Sequence, residues 1–368
     1  MGDPCCKQLT PLSHIHFSIS GHGFGHIGQC APVIAELRQQ HPEIKISIRS
    51  EAPLTKLRER LGDCIELHSA KLDIGMIQKN AVEVDHEKSY QAYQQIHRDW
   101  KNKVESEATY LKQQNIDLII ANIPYLTIAA AKQIGIPCLA FCSLNWSEIY
   151  NHYFDHRNPV IQQQIFDAYQ SCELFIAPEP AMQMPGIRNK HLIPPVAQHF
   201  SSYPAPVELT ERDRLILISW GGMELIMDIK QWPIADTLHF IVPDDQPTYG
   251  IKNIYTLAQL GIPYQQALQH CDLIITKPGY GTFVESALLE KPVAYLPRAD
   301  WPEMDTLVNW YQQTLPCQKL AIEDVISGQF INQIDLTRKT APKPMKQANG
   351  NNEAAKIILR HLAAPAKT

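Results

Sequence analysis

A short apolar run, His16–Ser20, leads into Gly21-His22-Gly23-Phe24-Gly25-His26-Ile27-Gly28. Glycines at such a turn let a ligand approach the backbone. The helix that follows, read from Cys30 to Gln40, offers unpaired N–H groups to an anion. Two imidazoles add proton transfer near neutral pH, which a plain phosphate loop lacks. His26 is the candidate general base, with His22 as a supporting catalytic group, and Gly23, Phe24 and Gly25 form the loop around them. Two further loops lie far along the chain. Ser219-Trp220-Gly221-Gly222-Met223 follows one apolar run, and Lys277-Pro278-Gly279-Tyr280-Gly281-Thr282 follows another. Gly221, Gly222, Gly279 and Gly281 free the backbone there, and a helix starting near Thr282 aims N–H groups at a diphosphate. Glu285, one turn into that helix, is placed to accept two ribose hydroxyls, although a carboxylate also suits any helix start. In Leu296–Asp305, Arg298 is positioned to pair with phosphate or with Asp300. Glu303 and Asp305 are positioned to accept sugar hydroxyls.

Other chemistries fit less well. Gly23, Gly25 and Gly28 satisfy the dinucleotide pattern G-x-G-x-x-G, and Glu51 stands where a ribose-binding acid would. His26 inside the loop, and the second set of glycine loops, argue against that reading. No G-K-[ST] is present, so neither loop is a Walker loop. The chain holds no D-x-D triplet, and its nine cysteines give no zinc spacing, so no metal and no cofactor are expected.

The elements that must carry these loops alternate. Strand-like runs are His16–Ser20, Ile44–Ser50, Ile65–His68, Asp117–Asn122, Pro137–Ser143 and Glu173–Ala177. Helical runs are Ala31–Gln40, Leu54–Leu61, a long Ser89–Gln114 and Tyr125–Ile134. A second series follows, with strands at Arg214–Trp220, Leu238–Pro243, Asn253–Leu257, Asp272–Thr276 and Pro292–Leu296. Its helices are Tyr264–His270, Thr282–Leu289 and Met304–Gln313. This is α/β patterning, with two doubly wound Rossmann-like domains facing a central cleft. The expected boundaries are an acceptor-side domain over 1–180 and a proline-rich linker over 181–212. A donor domain over 213–345 and a terminal helix within 346–368, packing back on the first domain, complete the chain. Loops after strands are where ligands bind in such sheets.

Composition narrows the partners. A net charge of −5 over 368 residues does not favour nucleic acid or an anionic membrane. No apolar run approaches the roughly 18 residues needed to span a bilayer. Residues 1–13 lack an apolar signal core, and the scattered cysteines read as buried thiols, so a cytoplasmic protein is expected.

The residues also carry a resemblance. Ser20–His26, Lys277–Thr282 with Glu285, Arg298–Glu303, and Asn349-Gly350 with Glu353-Ala354-Ala355 resemble a glycosyltransferase of GT-B architecture. The C-terminal half is similar to glycosyltransferase family 28. The nearest pattern is the glycosyltransferase-like N-terminal region of L-arabinokinases and stand-alone bacterial relatives. Weaker similarity runs through Leu72–Asp85, Ile116–Ala131 and Asn145–Tyr150. The resemblance implies that the loop around His26 faces the acceptor, that Glu285 holds the ribose of a UDP-sugar, and that Glu303 and Asp305 contact the donor sugar. The chain departs from the pattern at Gln29, where arginine is expected, and at Asn122, where aspartate is usual. Both departures lie on the acceptor side.

The implied activity is inverting, metal-independent transfer of a hexosyl or N-acetylhexosaminyl group from a nucleotide sugar, a UDP-sugar first, to a small-molecule acceptor. Backbone N–H groups at Gly221-Gly222 and Gly279–Thr282 would steady the leaving diphosphate. A nucleotide-sugar 2-epimerase and a non-catalytic nucleotide-sugar-binding protein remain as alternatives. Trp146, Tyr150, Tyr153 and Phe154 could stack on an acceptor, although their helical spacing also suits a core.

Overall fold

A computed structural model describes residues 13–62, 65–199, 201–298, 300–334 and 349–363. Cys5, Cys6, Cys64 and Ala299 lie outside the described residues. The chain forms two compact units. Of the described residues, the first holds those up to 77, 84–198 and 349–363; the second holds 78–83 and 199–334.

The first unit is built on seven parallel strands. They are β1 (His14–Ile19), β2 (Lys45–Ser50), β3 (Glu66–Ser69), β4 (Leu118–Asn122), β5 (Cys138–Phe141), β6 (Leu174–Pro178) and β7 (Lys190–Ile193), in the order 3-2-1-4-5-6-7. β1, β4 and β5 are buried along their whole length; β4 and β5 read as near-continuous apolar runs, whereas β1 alternates apolar residues with the buried His14, His16 and Ser18. The order reverses between β1 and β4, where Ile19 pairs with Asn122 and the Ser20 N–H donates to the Asn122 carbonyl at 2.7 Å. The glycine–histidine loop therefore leaves the sheet at its switch point, where the strand ends diverge and a crevice opens.

The second unit repeats the plan with six parallel strands. These are β8 (Arg214–Ser219), β9 (Leu238–Val242), β10 (Ile254–Thr256), β11 (Leu273–Thr276), β12 (Val293–Tyr295) and β13 (Cys317–Lys319), in the order 10-9-8-11-12-13. Its switch point lies between β8 and β11. There the Thr276 hydroxyl donates to the Ser219 carbonyl at 2.7 Å, and the two glycine loops emerge side by side. The core gathers Trp220, Trp232, Phe240 and Phe330, together with Ala81 from the loop that follows β3. That six-residue excursion is closed by a Lys79 N–H to Glu83 carbonyl bond of 2.9 Å. It is tied down by the Ala81 N–H donating to the Glu224 carbonyl at 3.1 Å.

Several elements differ from those the sequence predicts. β7 falls inside the stretch expected to be a linker over 181–212, so this part of that stretch is an edge strand of the first sheet. Its composition, half-exposed and bracketed by prolines, hides it, as edge strands often are hidden. The first helix runs Gly25–Gln40, not from Cys30, because tertiary packing overrides the poor propensity of Gly25, His26 and Gly28. The long Ser89–Gln114 helix is two, His86–His97 and Trp100–Gln113, broken at Asp99, which leaves helical geometry with φ −126° and ψ 42°. Residues 145–170 form two helices, Trp146–Phe154 and Pro159–Gln170, each started by an asparagine whose side chain accepts a backbone N–H. Trp146, Tyr150 and Phe154 are fully buried, so they are core and not a stacking platform. No helix among the described residues is long and apolar enough to cross a membrane.

The last helix, Gly350–Leu362, packs on the helix Gly25–Gln40 and on β7. Two adjacent residues pin its start. A Cβ at Gly350 would lie 2.1 Å from the Pro194 carbonyl oxygen and 2.5 Å from that of Pro195. The buried Asn351 amide accepts from the Ala197 N–H at 3.2 Å and donates to the Ala197 carbonyl at 2.8 Å. Gly350→Ala is therefore expected to destabilise the fold by about 2–3 kcal/mol, the upper range for overpacking, because the clash is with backbone. A lowered urea midpoint is the readout, and an unchanged midpoint would contradict this packing.

Candidate functional site

In the first unit, the histidine loop sits on a buried polar chain. His26 lies in the first turn of its helix and is only 5% exposed. Its Nδ1 is 2.7 Å from the Asn122 Oδ1, the Asn122 Nδ2 donates to the Gln29 Oε1 at 3.1 Å, and the Gln29 Nε2 donates to the Ser143 Oγ at 2.9 Å. Read in that direction, Nδ1 carries the proton and Nε2 keeps its lone pair. Burial pushes the His26 pKa down to about 4, partly offset by the bond to Asn122, so the ring is neutral at pH 7. The sequence expectation of a base poised near neutrality is corrected here. The ring is deprotonated and ready to accept, but holds a proton weakly.

A carboxylate that the sequence reading did not single out anchors the other side. Asp73 is buried. It accepts from the Ser20 hydroxyl at 3.0 Å and from the Trp146 indole N–H at 2.8 Å. Burial, opposed by these two donors, raises its pKa to about 6. Trp146 in turn packs near both histidines, with ring centroids 5.3 Å from His22 and 5.8 Å from His26. The Met76 N–H points at the His22 Nδ1 at 3.4 Å, and a Cβ on Gly75 (φ +60°) would strike the His22 ring at 2.6 Å. Only glycine allows this loop to close so tightly over His22. Gly23 (φ +73°) and Phe24 shape the turn before the helix, and Gly25 opens it.

In the second unit, Lys277 leaves the end of β11. Its Nζ lies 3.8 Å from where a Cβ on Gly221 would stand and 4.0 Å from the same point on Gly279. Gly221 and Gly222 form a left-handed turn, with φ +64° and +84°. Lys277 is 9% exposed, and burial, then the Arg298 charge, lower its pKa to about 7, with Glu303 acting the other way. An amine held in this state between two glycine turns is suited to an incoming anion. Gly279 is the N-cap of the helix Tyr280–Leu288, with no side chain capping it. Tyr280, Gly281 and Thr282 thus form the first helical turn, two residues earlier than expected, and their N–H groups face the N-terminal end.

Arg298 is buried, stacks over Trp301 at 4.0 Å and donates from Nη2 to the Gln78 Oε1 at 3.1 Å. The Trp301 indole N–H reaches the Glu303 Oε2 at 3.4 Å. Lys277, Arg298 and Glu303 thus form one electrostatic group. Glu285 is buried in the second turn of its helix. Asp305 is not drawn in: it opens the helix Met304–Gln312 with an exposed side chain. Gln78 went unnoticed in the sequence, because its role depends on the excursion of 78–83 into this unit. Among the described residues no cluster of three or more His, Cys, Asp or Glu could hold a metal ion.

No protein-family model matches the chain, and no curated protein matches it by sequence. Solved structures do match by fold. The calicheamicin glycosyltransferase CalG4 aligns with a TM-score of 0.62 at 12% identity, over 97% of this chain and 100% of that one. The spinosyn rhamnosyltransferase SpnG complexed with thymidine diphosphate aligns at 0.51 and 13%, over 95% of this chain and 96% of that one. MurG of Acinetobacter baumannii aligns at 0.50 and 15%, over 95% and 99%. The architecture is that of GT-B glycosyltransferases: two α/β units on parallel, Rossmann-like sheets.

Proposed function

We propose that the chain is an inverting, metal-independent glycosyltransferase that uses a nucleotide sugar, with a UDP-sugar as first candidate. The observation that carries this is the buried Lys277 amine between the Gly221-Gly222 turn and the uncapped start of the helix Tyr280–Leu288. A diphosphate supplies the negative charge this arrangement lacks, and its departure as a leaving group is stabilised by the same groups. Arg298 adds a second cation, and Glu285 and Glu303 are the acceptors for ribose and sugar hydroxyls. In the first unit the neutral His26 takes the acceptor's proton through Nε2 as the nucleophile attacks the anomeric carbon. That proton passes to His26, the new glycosidic bond forms, and the bond to the diphosphate breaks with its electron pair. Transfer calls for both a nucleotide site, which the second unit offers, and a proton acceptor, which the first offers, whereas binding alone gives the proton acceptor no role. The thymidine diphosphate described with SpnG supports a pyrimidine diphosphate as the probe.

The test is a thermal-shift panel of UDP, dTDP, GDP and NAD, because a ligand that binds only the folded state raises its melting temperature. UDP or dTDP is expected to stabilise the protein, and Lys277→Ala to weaken that affinity about tenfold or more, in line with the loss of a charge-assisted phosphate contact. Stabilisation by NAD alone would overturn the reading. Conversion of a UDP-sugar with no acceptor present, followed by NMR, would replace transfer with epimerisation.

A further inference from the structure

The two positions at which the chain departs from the resembled pattern, Gln29 and Asn122, touch each other, and together they contact the candidate base. The four groups His26, Asn122, Gln29 and Ser143 form a chain of three hydrogen bonds between buried side chains, and the Cys142 Sγ makes one further, longer contact to the His26 Nδ1. We propose that Asn122, Gln29 and Ser143 form an uncharged relay that fixes the tautomer of His26, making Asn122 and Gln29 positioning residues for the base.

The relay has an all-or-none character. Turning either amide alone would set two N–H groups or two oxygens face to face, leaving buried polar atoms unpaired. The chain therefore has only two self-consistent directions. In the one present, His26 Nδ1–H donates to Asn122, and Nε2 is bare. In the reverse, Asn122 would donate to Nδ1, and Nε2 would carry the proton and lose its capacity as a base. Asn122, buried at the end of β4, sets the direction at one end, and Gln29, one turn along the helix from His26, passes it on.

The absence of charge has its own consequence. A carboxylate in place of Asn122 would stabilise the imidazolium, whereas an amide oxygen does so weakly. Among the described residues, the other groups around the ring add no such charge nearby. The Cys142 thiol is 3.8 Å from Nδ1, the His22 ring is 6.4 Å away, and the Asp73 carboxylate lies beyond Trp146, held by its indole. His26 is thus oriented without being made a strong base.

The role assigned to the relay rests on the proposed transfer reaction, but its first test needs no turnover. Nitrogen-15 NMR of the histidines in the full chain reports the tautomer directly. The expected result is a neutral His26 protonated at Nδ1 through the range pH 6–8. Gln29→Ala is expected to give a mixture of tautomers, and Asn122→Asp to raise the midpoint of His26 titration by about one unit or more, a tenfold gain in proton affinity. Protonation at Nε2 in the wild type, or an unchanged tautomer in Gln29→Ala, would overturn the relay. Should Asn122→Asp not fold, the Gln29 variant still decides. With a working donor and acceptor, the acid limb of kcat/KM should move up with the Asn122→Asp titration. A limb that stays put while the titration moves would remove the link to catalysis, and an inactive protein with the expected tautomer would count against the proposed reaction only.

Discussion

His26→Ala is expected to lower sugar transfer about 10²–10⁴-fold, the usual contribution of a positioned base, while nucleotide affinity stays unchanged. The two halves of this expectation rest on different units. The ring lies in the first unit, with Nδ1 committed to Asn122. The groups assigned to the diphosphate, Lys277 and the first turn of Tyr280–Leu288, belong to the second. A base acts only while its acceptor proton is moving, so its loss appears in kcat more than in nucleotide binding. Ala also opens a cavity beside Trp146, so stability must be measured alongside. His26→Gln keeps a donor toward Asn122 and much of the volume but has no basic nitrogen, and should be as inactive as Ala. Turnover by either variant at the wild-type rate would remove His26 from the mechanism, while lost nucleotide binding would show that the two units are coupled.

Much of the fold was readable because parallel sheets advertise themselves. β4, β8 and β11 are dominated by apolar residues and β1 carries Ile15, Phe17 and Ile19 at alternate positions; the order of these strands places the loops that follow them at the two switch points. Glycine and histidine are conspicuous in such positions, so His22, His26 and the Gly221 and Gly279 turns stood out. What stayed hidden depends on contacts far apart in sequence. Asp73 lies in an irregular stretch with no period to read, and is recognisable only once Ser20 and Trp146 converge on it. Trp146, open in the sequence between acceptor stacking and core, is buried, and its indole N–H anchors that carboxylate. Gln78 matters only because 78–83 leave the first unit and join the second. Gln29 and Asn122 were visible as unusual residues, but their pairing needs a strand end and a helix turn brought side by side.

Acid is expected to unfold the first unit well before ordinary carboxylate titration is complete. Four of its histidines are buried and neutral. His16 is held at about 3, His26 and His97 at about 4, and His14 is also lowered, each chiefly by burial. The structure explains why they resist a proton. The His14 Nε2 and the His16 Nδ1 both meet the Ser47 hydroxyl, at 2.7 and 2.8 Å, and the His16 Nε2 is buried without a partner. His97 is held between Gln164 and the Tyr125 hydroxyl and stacks on Trp100. In the unfolded chain each of these rings titrates near 6.5. Below that pH the unfolded state gains protons that the folded state refuses, for His16, His26 and His97 until their folded values of about 3 to 4 are reached. Stability therefore falls with falling pH, by about 1.4 kcal/mol per pH unit for each ring. Asp73 opposes this. Its carboxyl takes a proton at about 6 in the folded state and near 3.9 unfolded, so between those values it offsets one histidine. The histidines outnumber it, leaving a net loss on the order of 3 kcal/mol per pH unit from about 6 down to 4. Over those two pH units the loss is about 6 kcal/mol, enough to exhaust a domain at the lower end of the ordinary range of about 5–15 kcal/mol. The melting temperature, followed by circular dichroism from pH 8 to 4, should be level above pH 7 and drop steeply below 6. His97→Gln, which removes one buried ring while keeping a polar side chain toward Gln164 and Tyr125, should flatten that drop even if it lowers stability at pH 8. A melting temperature that stays level from pH 6.5 to 4.5 would mean that these rings accept protons in place, against the burial that surrounds them.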